Sequence, residues 1–135
     1  MKVTGFNHLT LRIGDLERSI DFYTGVLGLK LVHRGRTDAY LEWGTAWICL
    51  LQADRVTAAQ TADGTEPKTG FDHIAFSIDE AEFEGAADAL REAGITIVRG
   101  PVKRGQGWSV NFLDPDGIQL ELHTSNLAER MRVWS

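Results

Sequence analysis

The sequence predicts an α+β fold, in which two copies of a strand–helix–three-strand unit pair into one curved, cupped mixed β-sheet. Two observations carry this. The chain opens with Gly5-Phe6-Asn7-His8-Leu9-Thr10-Leu11-Arg12-Ile13 and repeats the pattern as Gly70-Phe71-Asp72-His73-Ile74-Ala75-Phe76-Ser77-Ile78. Each copy is followed by an amphipathic helical segment ending in glycine, at Leu27-Gly28 and at Ala93-Gly94, and then by a β-rich run. A repeat period of about half the chain means two copies of one supersecondary unit. A lone four-stranded sheet with one helix leaves a face uncovered, so the two copies are expected to pair.

Length and composition set the bounds. A chain of 135 residues fits a single domain with a real core. We expect module one over about 3–52, a linker over about 53–69, module two over about 70–125 and a terminal helix over about 126–134. The net charge of -5 disfavours a nucleic-acid partner, although a local basic patch can still hold a small anion. A single cysteine, Cys49, excludes an internal disulfide and fits a reducing compartment. With no signal-like opening and no apolar run of spanning length, the expectation is a cytoplasmic protein with no membrane partner.

The elements follow in order. Phe6 to Ile13 alternates, with Leu9, Leu11 and Ile13 on one face and His8, Thr10 and Arg12 on the other, as in a half-buried strand. Asp15 is placed to cap a helix whose apolar face is Leu16, Ile20, Tyr23 and Leu27, with Gly28 as its left-handed stop. Leu29 to Arg36, Asp38 to Trp43 and Ala46 to Gln52 are three short strands. The polar stretch from Ala53 to Thr69 separates the copies. In the second copy the strand His73 to Ile78 precedes a helix from about Glu80 to Ala93 and a short strand over Thr96 to Arg99. Gly100 to Trp108 is expected as a glycine-rich loop. Strands at Ser109 to Leu113 and Ile118 to Thr124 flank the turn Asp114-Pro115-Asp116-Gly117, and Ser125 or Asn126 starts the last helix.

Strand periodicity then says which side chains share a face. His8 travels with Thr10, His73 with Ala75 and Ser77, and Glu121 with Gln119 and His123. Leu120 and Leu122 face the other way. Two imidazoles at equivalent repeat positions and a carboxylate on the last strand form a facial set for a divalent metal, with positions left open for substrate. A single strand histidine is more often a satisfied polar residue than a ligand, but its duplication, with the carboxylate, reverses that weighting.

The repeated unit with its His and Glu pair resembles the vicinal oxygen chelate superfamily, the glyoxalase/bleomycin resistance/dioxygenase fold. Within it the segments around His8, Ala39-Tyr40-Leu41-Glu42, Trp47-Ile48-Cys49-Leu50, Asp72-His73-Ile74-Ala75-Phe76, Phe112-Leu113-Asp114-Pro115-Asp116-Gly117 and Leu120-Glu121-Leu122-His123 resemble the fosfomycin-resistance proteins. That resemblance implies Mn(II) held by His8, His73 and Glu121, and a homodimer in which the first histidine reaches the site from the partner. It implies a metal-polarised phosphonate epoxide opened by a thiol cosubstrate or by water. Thr10 and Tyr40 match catalytic-site positions. Trp47, Ser109 and Arg130 match substrate-binding positions, and Arg99, Lys103 or Arg104 would supply the phosphonate cation, counting from Gly94 favouring Arg99.

Several residues depart from the family pattern. Asn111 stands where a tyrosine is common, and still offers a hydrogen-bond donor to substrate. The Gly100 to Trp108 stretch differs from the serine-containing loop that holds potassium in glutathione-transferring members, which leaves potassium without an assigned place. The water-using branch has a glutamate base shortly before the Tyr40 position, where this chain has Thr37 and Asp38. Cys49 reads as a small buried hydrophobe, His33 and His123 as structural, and Glu42 as a partner for a cation. The alternatives are a glyoxalase-like isomerase or lyase, an Fe(II) dioxygenase, or a metal-free sequestering protein. Fe(II), Zn(II) or another divalent ion also suits the donor set.

Overall fold

The computed structural model of the chain describes residues 1–55, 68–113 and 115–134. Most of the expected linker, together with Asp114 of the expected turn, lies outside the described residues. Two compact units are present, one formed by His8–His73 and the other by Met1–Asn7 with Ile74–Ser135. The boundaries fall inside two strands, β1 (Val3–Ile13) and β5 (Gly70–Ile78), which run through both units.

In the His8–His73 unit, Asp15 caps α1 (Leu16–Asp21) by accepting a hydrogen bond from the Arg18 amide, a contact worth about 1 kcal/mol. The sequence predicts one regular helix as far as Leu27, but Phe22–Val26 instead form a π-helical turn. There the Thr24 hydroxyl donates to the Ile20 carbonyl at 2.7 Å, and the Leu27 amide reaches back to Phe22. A side-chain bond to the backbone of this kind competes with the regular ladder. Gly28, with φ of 75°, then ends the segment as expected. Strands β2 (Lys30–Arg34), β3 (Asp38–Trp43) and β4 (Ala46–Gln52) follow, and β4 returns parallel to β1. Leu16 and Ile20 of α1 pack on Ala39, Leu41, Ile48 and Leu50, so one face of these strands is an apolar core.

The other unit repeats the plan. After β5 come α2 (Glu80–Glu92), stopped by Gly94 at φ of 70°, and strands β6 (Ile97–Arg104), β7 (Gly107–Leu113) and β8 (Gln119–His123). β8 runs parallel to β5 as β4 does to β1. Phe83, Ala86 and Leu90 of α2 cover Ile78, Val110 and Leu122. Helix α3 (Leu127–Trp134) starts at Asn126, whose side chain accepts from the Glu129 amide and donates to its carboxylate, a reciprocal cap. In the His8–His73 unit the hydrogen-bonded strands follow the order β2-β3-β4-β1, and in the other unit the order is β5-β8-β7-β6. Among the described residues no helix is long and apolar enough to cross a membrane.

Gly100 to Trp108 is not an open loop, because β6 continues to Arg104 and turns at Gly105 into β7. Shifts of register between Ile97 and Arg99, and between Arg99 and Val102, absorb Gly100 and the cis Pro101 within a paired strand. Gly100 has φ of 87°, and a Cβ there would lie 2.7 Å from the Ser109 carbonyl oxygen. The glycine that looked like loop composition therefore allows two backbones to approach.

Candidate functional site

In the His8–His73 unit, the strand faces turned away from α1 carry the expected site residues. One ring from each of five successive strands lies in line there. His33 and Tyr40 have centroids 4.9 Å apart, Tyr40 and Trp47 5.0 Å, Trp47 and His8 4.2 Å, and His8 and His73 5.4 Å. Register produces this row, since His33 pairs with Tyr40 across β2 and β3, and His8 with Trp47 across β1 and β4. Tyr40, Trp47, His8 and His73 are all buried. His33 is a support for Tyr40, and Cys49 is buried beside it, opposite Thr10 in register. Glu42 forms an exposed ion pair with Lys30 at 4.0 Å, the structural use expected of it.

His73 is held at both nitrogens. Its Nδ1 lies 2.9 Å from Asp72 Oδ1, and its Nε2 lies 3.2 Å from the Thr10 hydroxyl. Asp72 is in turn 3.5 Å from Arg12 Nε, while Arg12 Nη2 donates to the Phe71 carbonyl at 2.8 Å. The sequence reading had Asp72 only as the short Asx residue of the repeat and missed this bracing. In the first copy the equivalent Asn7 is used differently, donating to Ser77 Oγ at 2.9 Å and to the Ser125 carbonyl at 3.0 Å.

In the other unit, Glu121 stands on β8 in register with Ala75, two residues along from His73 on the same strand. Glu121 is buried, and Asn111 donates to its Oε1 at 3.3 Å. Arg99 donates to Asn111 Oδ1 at 3.4 Å, which makes a chain from guanidinium through amide to carboxylate. Among the described residues, Arg99 Nε is buried without a hydrogen-bond partner, and so is the hydroxyl of Ser109, on the Asn111 face of β7. His123 takes a hydrogen bond from the Ser125 amide and has Nε2 3.8 Å from Glu121. Buried donors of this kind need an acceptor, and an anionic substrate group would be one.

Arg99, Ser109, Asn111 and Glu121 are thus brought together, and Lys103 is not among them. Lys103 is exposed and pairs with Trp108, whose ring lies 6.2 Å from that of Phe83 on α2, on the opposite side of β7 from Ser109. A concavity of about 470 Å³ on that side is lined by Glu80, Glu84 and Asp88 with Arg91, a balance of charge that repels an anion. Arg130 lies on α3, and its side chain is outside the described residues.

Comparison with known proteins places this architecture. The model of the Glyoxalase/Bleomycin resistance protein/Dioxygenase superfamily matches residues 5–122. The chain belongs to this superfamily. Within the superfamily, it is 41% identical over 127 residues to the glutathione transferase FosA of Serratia marcescens, covering 93% of this chain and 84% of the relative. To the metallothiol transferase FosB of Staphylococcus epidermidis it is 38% identical over 135 residues, covering 99% and 91%. Among solved structures, methylmalonyl-CoA epimerase of Streptomyces coelicolor aligns with a TM-score of 0.70 at 22% identity, covering 92% of this chain and 99% of that one. The superfamily fold is therefore shared well beyond close sequence relatives, and fold does not by itself fix a reaction.

Proposed function

We propose that this protein is a metal-dependent thiol transferase that opens a small phosphonate epoxide of the fosfomycin type. The observation that carries the reading is similarity over nearly the whole chain to relatives named as glutathione and metallothiol transferases. The donor chemistry supports it. We assign His8, His73 and Glu121, each of them buried, as the ligands of a divalent ion, with Mn(II) as the first assignment. The same set suits Fe(II), but the names of the relatives favour thiol transfer over ring cleavage.

Each residue has a part in this reading. A divalent ion bound there supplies Lewis-acid polarisation of the oxirane oxygen. Arg99 and the Ser109 hydroxyl bind the phosphonate, and Asn111 links Arg99 to Glu121. Trp47, backed by Tyr40, packs against His8 and shields it from water, while the Thr10 hydroxyl faces His73 Nε2. The thiolate sulfur attacks an oxirane carbon, the S–C bond forms as the C–O bond breaks, and the released oxygen takes up a proton. Asp38 lies 3.8 Å from His33 Nε2, and that pairing argues against its service as the base for a water reaction.

Phosphorus NMR of fosfomycin incubated with Mn(II)-loaded protein tests the activity, with glutathione, bacillithiol, cysteine or no thiol in parallel. A new phosphonate signal that appears only with a thiol is expected and identifies the cosubstrate. Turnover without thiol makes the protein a hydrolase. Unchanged fosfomycin in every tube, with metal bound, refutes the reading.

The reading includes a homodimer with shared metal sites, His8 coming from the partner of the chain that supplies His73 and Glu121, as the family resemblance implies. His8 and His73 of one chain already lie with ring centroids 5.4 Å apart, however, so a shared site competes with one built within a single chain. Mixing His8→Ala protein with Glu121→Ala protein tests the sharing. Exchange of subunits should regenerate one intact site per mixed dimer and restore metal binding and turnover. No recovery after verified exchange means that each chain builds its own site.

A further inference from the structure

We propose that Asp72, braced by Arg12, is a positioning residue that fixes the tautomer and orientation of His73 and so presents Nε2 to the metal ion. The inference rests on the reading of His73 as a ligand and goes beyond it, since it concerns how that ligand is prepared. Asp72 Oδ1 lies 2.9 Å from His73 Nδ1. An ionised carboxylate only accepts hydrogen bonds, so Nδ1 must carry the proton. Nε2 then keeps its lone pair, and the Thr10 hydroxyl at 3.2 Å donates to it in the metal-free protein.

Burial gives the arrangement its strength. The side chains of Asp72 and His73 are 8% and 7% exposed, and that of Arg12 is 19% exposed. In such a setting a carboxylate against imidazole is felt much more than at the surface. Arg12 is anchored on the Phe71 carbonyl through Nη2, and its guanidinium forms an ion pair with the Asp72 carboxylate, Nε lying 3.5 Å from Oδ2 without a hydrogen bond between them. A carboxylate on the distal nitrogen of a ligating histidine fixes its ring and raises its basicity.

The repeat sharpens the point. The residue before His8 is Asn7, whose amide is committed to Ser77 and Ser125. His8 is instead stacked on Trp47 at 4.2 Å. Asp72 differs from Asn7 in the one property this role needs, its negative charge.

The test has a spectroscopic and a binding arm. Long-range ¹H–¹⁵N spectra of metal-free protein, with His73 assigned from His73→Gln, should show the Nδ1–H tautomer in the unsubstituted protein. Asp72→Ala should move it toward the Nε2–H form that unrestrained imidazole prefers in water. Mn(II) titration followed by EPR of the free ion should show Kd raised roughly 10- to 100-fold in Asp72→Ala. Should that variant not fold, Asp72→Asn, which keeps the shape and an acceptor oxygen while removing the charge, gives the same measurement with a loss of Mn(II) affinity expected. If Asp72 serves only to tie β1 to β5, the variants lower Tm but leave the tautomer and Mn(II) affinity unchanged while His73→Gln abolishes binding, and the proposal is overturned. Mn(II) binding that survives His73→Gln overturns the ligand reading itself.

Discussion

Replacing Glu121 by alanine is expected to abolish stoichiometric Mn(II) binding and to lower turnover roughly 10³-fold or more, the loss of several kcal/mol of electrophilic assistance. In the proposed site Glu121 is the anionic ligand, so its removal would take both a ligand and the charge that offsets the cation. Asn111 also donates to its Oε1, and the truncation leaves that buried amide short of an acceptor, at a cost of about 1–3 kcal/mol. Stability loss and metal loss must therefore be separated. Glu121→Gln keeps the volume and an acceptor for Asn111 while removing the charge, so it should unfold close to the parent and still bind Mn(II) poorly. His8→Ala and His73→Ala should share the binding defect. Full Mn(II) occupancy in all of these variants would refute the three-residue site.

Arg99→Ala is expected to raise KM for the phosphonate about 150-fold, from about 3 kcal/mol for a charge-assisted contact to a buried anion. Its guanidinium sits on the Asn111 face, with Nε buried and without a hydrogen-bond partner among the described residues. Lys103→Ala should change KM by less than about twofold, because Lys103 pairs with Trp108 on the other side of β7 and is exposed, where charges are screened. Mn(II) affinity and KM for the thiol should stay near the parent values in both variants. Steady-state kinetics with phosphonate and thiol varied separately will decide. An equal loss from Lys103→Ala, or none from Arg99→Ala, would overturn the assignment of the cation.

The two variants also show where sequence reasoning stopped. Counting from Gly94 favoured Arg99 over Lys103, yet the count could not show that β6 continues past Gly100. Glycine and proline there have the composition of a loop, and only hydrogen bonding to β7 makes them part of a strand with two register shifts. The π-helical turn at Phe22–Val26 is similar, since the apolar spacing through Leu27 fits a regular helix while the Leu27 amide reaches back five residues to the Phe22 carbonyl.

By itself the sequence determined the duplicated unit, most of the strands and helices, the helix cap at Asp15, the choice of Ser125 or Asn126 for the last helix, and the polar faces that carry His8, His73 and Glu121. These are local properties, because side-chain alternation along a strand and helical spacing depend only on near neighbours. Tertiary structure decided what those faces meet. Thr10 with His73, Arg12 with Asp72 and Asn7 with Ser125 are separated by 63, about 60 and 118 positions, and their contacts depend on strand register rather than on any local period. Asp72 shows the consequence most directly. Its imidazole partner His73 is the next residue on β5. The guanidinium on its other carboxylate oxygen comes from Arg12 on β1, about 60 positions away, and only tertiary structure brings it there.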